Sequence, residues 1–123
     1  MSIYDDVKEW HKACGLPVGT EQFTDWRVKI RRHNLILEEV QEIFDEWNML
    51  NREKTLDGIL DKIWVLVGTL VELGWDFEGA WAEVKRSNWS KVGAGLDGNG
   101  KLEKGPNFSP PDLARFARRK DEQ

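Results

Sequence analysis

Leu35-Ile36-Leu37-Glu38-Glu39-Val40-Gln41-Glu42-Ile43-Phe44 has apolar residues at the spacing of one helix and of no other element. Five carboxylates, Glu38, Glu39, Glu42, Asp45 and Glu46, fall within nine residues of this region. Glu38 and Glu39 stand three or four residues from Glu42, so they share a helix face. The next helical segment carries Asp57 and Asp61 at i, i+4. Like charges so spaced cost an isolated helix about 0.2–0.5 kcal/mol per pair. A cation among them is the expected compensation, and a hard divalent metal is the first candidate.

Outward from this stretch the chain reads as helices. Ile3, Val7, Trp10 and Cys14 keep helical spacing behind a Ser2-x-x-Asp5 capping box, and Gly15 with Pro17 ends that helix. A second helix is expected from about Thr24 to about Leu50, closed by Asn51. Residues 51–54 read as a short connection, with Thr55 as N-cap of a third helix ending near Gly74. Asp76 is the expected cap of a fourth helix running to about Asn88. Residues 93–109 hold five glycines and no periodicity, so they read as loop. Ser109-Pro110-Pro111-Asp112 is expected to start a short terminal helix, with Arg118, Arg119 and Lys120 at its far end. No segment alternates with period two. The expected fold is all-α: an antiparallel bundle of four main helices plus a short C-terminal helix. Residues 1–92 form its core, and 93–123 are a loop and helix of the same domain.

Ile63 to Val71 is uncharged and apolar nearly all round, which implies burial on more than one side. In a chain of 123 residues the expected cover is another subunit, in a homodimer or homotetramer. That stretch is too short to span a bilayer, which takes about 20 residues. The acidic start Tyr4-Asp5-Asp6 is unlike a secretory leader, and Cys14 is the only cysteine. A cytoplasmic protein with no membrane partner is expected, with Cys14 as packing at a helix end. The net charge of −4 argues against nucleic acid.

A short connection makes the second and third helices antiparallel neighbours. Counting from the turn at about 1.5 Å per residue sets Glu42 level with Asp61 and Asp57 level with Glu46, with Glu39 one turn further. Four carboxylates then converge from two helices, and oxygen-only ligation suits Mg²⁺ or Mn²⁺. Other readings stay open. Asp57 falls in an expected first turn, where the helix dipole alone favours it. Asp45 and Glu46 read as a solvated face, and Glu38 has Arg31 and Arg32 within reach. The basic run Arg27-x-Lys29-x-Arg31-Arg32 reads either as a solvated face or as an extension of a phosphate site.

Glu39-x-x-Glu42 followed by Asp57-Gly58-x-x-Asp61 resembles the all-α NTP pyrophosphatase superfamily, the MazG-like and phosphoribosyl-ATP pyrophosphohydrolase-like proteins. His11 to Val18 resembles the family's opening helix and turn, Glu83 to Lys91 its Asn-x-x-Lys segment, and Lys104 to Leu113 the tail of the phosphoribosyl-ATP-like branch. The resemblance implies Mg²⁺ held by Glu39, Glu42 and Asp61, and a water activated by Glu38. It implies attack between the α and β phosphates, giving a nucleoside monophosphate and pyrophosphate. The commonest family pattern has Glu where this chain has Gly58, so Asp57 must substitute as ligand. Asn88, Lys91 and Lys104 are the candidates for the far phosphates. Trp10, Trp26, Trp64 and Trp89 are possible stacking partners for the base.

Two other motifs fail. Gly95-x-x-x-x-Gly100-Lys101 has Leu102 where a P-loop needs Ser or Thr. Asp97-x-Asn99 lacks the glycine and final glutamate of a calcium loop. The expected function is a Mg²⁺-dependent nucleoside triphosphate pyrophosphohydrolase. Its rivals are phosphoribosyl-ATP hydrolysis and a non-catalytic helical protein that binds a basic partner.

Overall fold

The structure is a computed structural model that describes residues 2–119 and 121. Among the described residues there are four helices and no strand: α1 (Ile3–Cys14), α2 (Trp26–Asn48), α3 (Arg52–Leu73) and α4 (Phe77–Trp89). None is long and apolar enough to cross a membrane. The contacts divide the chain into two units, Met1–Trp75 and Asp76–Gln123.

Caps set the helix bounds in the first unit. Ser2 and Asp5 complete the capping box of α1 in both directions. Asp25 caps α2 by accepting the Arg27 N–H. Asn51, and not Thr55, caps α3: its Oδ1 accepts from the Lys54 N–H at 3.1 Å. The Thr55 hydroxyl bonds back to the Asn51 carbonyl at 2.7 Å, so Thr55 already sits inside the helix. The connection shrinks to Met49, Leu50 and Asn51, and Leu50 takes a left-handed φ of 56°. Gly15 and Gly74 close α1 and α3 in the left-handed conformation that glycine favours.

α3 packs on both α2 and α1. Against α1 the core is Val7 on Val67 and Val71, with Tyr4 and Val18 at its margin. Against α2, Ile43 meets Gly58 near the turn and Arg32 meets Thr69 at the far end, which makes the two helices antiparallel. Ile63, Trp64 and Leu66 are 42%, 38% and 41% exposed, so the apolar run on α3 is only partly covered within this chain.

Two expectations are corrected here. The basic run is not wholly solvated: Arg32 is buried, its guanidinium held by Thr69 Oγ1, the Val65 carbonyl and Glu72 Oε2. Arg31 pairs with the same buried Glu72 at 2.7 Å. Both arginines are therefore committed to α3, and Arg27 is paired with Asp25. Cys14, the last residue of α1, is exposed instead of packed.

In the second unit, Asp76 caps α4 as expected, accepting from the Gly79 N–H at 2.9 Å. The glycine-rich segment is more ordered than a plain loop. Leu96 and Leu102 form an isolated antiparallel bridge, and Asp97 Oδ1 accepts the N–H groups of Asn99 and Lys101. That carboxylate is a turn former, which accounts for the calcium-loop look of the sequence. The expected terminal helix is reduced to one turn, in which Phe116 and Ala117 both bond to the Leu113 carbonyl. The Asp112 N–H goes instead to Glu83 on α4, so the segment is drawn into tertiary bonds at its start. Lys120, assigned to that helix end, lies outside the described residues.

Candidate active site

The acidic face is built by α2 and α3. With Ile43 opposite Gly58, Glu42 comes level with Ile59, between Asp57 and Asp61, and Glu39 comes level with Asp61 and Lys62. This register is about two residues, or about 3 Å, from the one counted from the sequence. The difference follows from α3 starting directly after the turn. The same early start puts Asp57 beyond the first turn of α3, where the helix dipole no longer accounts for a carboxylate.

Glu39 registers the whole group. Burial pushes its carboxyl above the usual carboxylate range, and the negative charges of Glu42, Asp61, Glu38 and Asp57 push it further. Carboxylates from both helices thus act on one side chain, with Glu42 and Asp61 foremost. Oε2 of Glu39 is buried and has no hydrogen-bond partner. Its neighbours Glu38, Glu42, Asp57 and Asp61 are exposed. Asp45 accepts from Gln41 at 2.9 Å and stands outside this group.

As the side chains stand, no three His, Cys, Asp or Glu groups among the described residues are drawn in to coordinating positions. The donor set nonetheless fits a hard cation. It is made of oxygens alone, it carries several negative charges without an ion pair, and one of its oxygens is buried and orphaned.

Gly58 explains the departure in the acidic motif. A Cβ there would lie 3.1 Å from Cγ1 of Ile43, so the glycine permits a close approach of α3 to α2. The carboxylate on this stretch comes from Asp57 instead, one residue away and on the exposed side.

Asn88, Lys91 and Lys104 belong to the second unit. Asn88 is exposed near the end of α4, and Lys91 follows in the turn after it. Lys91 and Lys104, thirteen residues apart, both lie over the ring of Phe108, at 5.6 and 5.1 Å from its centroid. Their convergence rests on the hairpin through Asp97, which no local spacing in the sequence announces. Among the tryptophans, Trp10 and Trp64 meet edge to face at 5.7 Å, whereas Trp26 and Trp89 are 69% and 64% exposed.

A sequence model of the phosphoribosyl-ATP pyrophosphohydrolase family matches residues 8–88, which takes in α2, α3 and all five clustered carboxylates. No curated protein sequence matches the chain significantly.

Proposed function

Because the chain belongs to the phosphoribosyl-ATP pyrophosphohydrolase family, within the MazG-like all-α NTP pyrophosphatase superfamily, we propose that it hydrolyses a (deoxy)nucleoside triphosphate between the α and β phosphates. The observation that carries this reading is the state of Glu39, a partly buried carboxyl with an orphaned oxygen in the field of four more carboxylates from two helices. Glu39, Glu42, Asp57 and Asp61 would hold Mg²⁺, with Mn²⁺ as a substitute. When bound, such a cation neutralises phosphate charge and polarises the bond under attack.

The remaining chemistry falls to side chains of this protein. Glu38, exposed beside Glu39, takes a proton from the attacking water. The water oxygen bonds to the α phosphorus as the α–β anhydride breaks, and pyrophosphate leaves with that bond's electrons. Asn88, Lys91 and Lys104 meet the β and γ phosphates and offset the charge that builds on the leaving group. The assembly is a cytoplasmic homodimer or homotetramer, in which the exposed apolar side chains of α2 and α3 are covered.

The family description favours a second reading, in which the nucleotide is phosphoribosyl-ATP. The same bond would break and the same residues would serve.

A turnover panel tests both. Canonical and deoxy NTPs and phosphoribosyl-ATP are incubated with Mg²⁺ or Mn²⁺, and the products are separated. Monophosphate and pyrophosphate, lost in Glu42→Gln, are the expected result. Diphosphate with inorganic phosphate would overturn the bond assignment. Absence of turnover on every nucleotide would favour a binding role for the acidic face.

A further inference from the structure

Lys91 and Lys104 are held together by construction. The Ser109 N–H donates to Ser90 Oγ at 2.9 Å, which fixes Phe108 beside Lys91. The Glu103 N–H donates to the Gly95 carbonyl at 2.8 Å, and Gly105 passes close to Ala94, which brings Lys104 back to the same place. Arg86 secures the tail from the other side through Ser109 Oγ and the Pro110 carbonyl. The two ammonium groups lie over one aromatic ring, and no carboxylate forms an ion pair with either among the described residues.

Two like charges on one ring repel each other, and what holds them is the negative π density of the ring. A free lysine is a mobile point charge whose rotamer freedom, about 2 kcal/mol, opposes binding. A lysine already lying on a ring has lost part of that freedom before any ligand arrives. Each ammonium still has three donors to offer. Paired cations with open donors match a ligand that carries charge on adjacent phosphates.

We infer that Phe108 is a positioning residue, whose ring sets Lys91 and Lys104 as a paired clamp for the pyrophosphate portion of the nucleotide. The inference rests on the nucleotide reading above and adds the residue that organises its phosphate contacts.

Inorganic pyrophosphate, titrated calorimetrically into the full chain with divalent ions chelated, is the probe. Phe108→Leu keeps an apolar side chain but removes the aromatic face, and it should weaken pyrophosphate binding roughly five-fold. Phe108→Trp keeps a face and should restore most of the affinity, a recovery that a purely structural role for Phe108 would not give. Lys104→Met should weaken binding too, and Phe108→Leu should add little on top of Lys91→Met with Lys104→Met. In turnover, Phe108→Leu should lower kcat/KM about five-fold, with part of the loss in kcat because the two lysines meet charge that builds on the leaving group. Wild-type affinity in Phe108→Leu, or no rescue by Phe108→Trp, would overturn the inference. So would an absence of pyrophosphate binding by the wild-type chain. Loss of turnover in Glu42→Gln tests the nucleotide reading separately, because chelated-buffer pyrophosphate binding does not depend on Glu42.

Discussion

Glu39 bears the electrostatic cost of the acidic face, and its titration gives that cost a sign. Its carboxyl is raised by burial first and then by Glu42, Asp61, Glu38 and Asp57, so the folded chain holds this proton more tightly than the unfolded chain. The stability it contributes is present below the ordinary carboxylate range and is lost as pH rises through the raised value. Glu39→Gln should therefore raise Tm near neutral pH without divalent ions, and the gain should vanish in acid. Scanning fluorimetry across pH checks this; a gain independent of pH would refute the assignment. Glu38 is exposed, so Glu38→Gln should preserve the fold and Mg²⁺ affinity. As the proton acceptor it should cost kcat about 100- to 10,000-fold, read in single-turnover assays. The spacing of Glu39, Glu42 and Asp61 made the cluster visible in the sequence. Which carboxyl is buried was not visible, because that depends on the register at Gly58 and Ile43. Phe108 was hidden for a similar reason, since a hairpin joins its two lysines.

α2 and α3 are tied at both ends, by a three-residue turn and by Glu72. Glu72 is 1% exposed and Arg32 7%. Glu72→Ala would strand the Arg32 charge, whose own protonation burial already disfavours. The expected loss is about 3–5 kcal/mol by denaturant titration. At Gly58, a helix-propensity gain of about 1 kcal/mol for alanine opposes crowding against Ile43, so Gly58→Ala should be nearly neutral. Gly58→Glu, which restores the commoner family residue, should cost about 1–3 kcal/mol. The helices themselves were legible from caps and periodicity, as Ser2 and Asp76 show. Thr55 misled because a hydroxyl can bond backward inside a helix as readily as it caps one. Arg31 and Arg32 misled because their partner is about forty residues away, and a basic run looks the same whether or not it is paired. The terminal helix failed at Asp112, whose N–H bonds outside its own segment.

The first unit leaves much apolar surface in water: Leu37 is 57% exposed, Phe44 56%, Trp47 56% and Leu56 58%. A homo-oligomer should cover part of it, and light scattering should return a multiple of the chain mass of 14.3 kDa. Phe44→Glu with Leu56→Glu should shift that mass toward the monomer. The turn at Leu50 bears on the order in which the chain folds. Three residues close α2 onto α3, whereas Val7 must cross most of the first unit to reach Val67 and Val71. Local contacts form soonest, so the α2–α3 hairpin should assemble first and α1 should dock on it. Closing that hairpin drives like charges together midway along its length, which sets a brake on the earliest step. A divalent cation that releases this brake should speed refolding in stopped-flow mixing more than a monovalent salt of equal ionic strength.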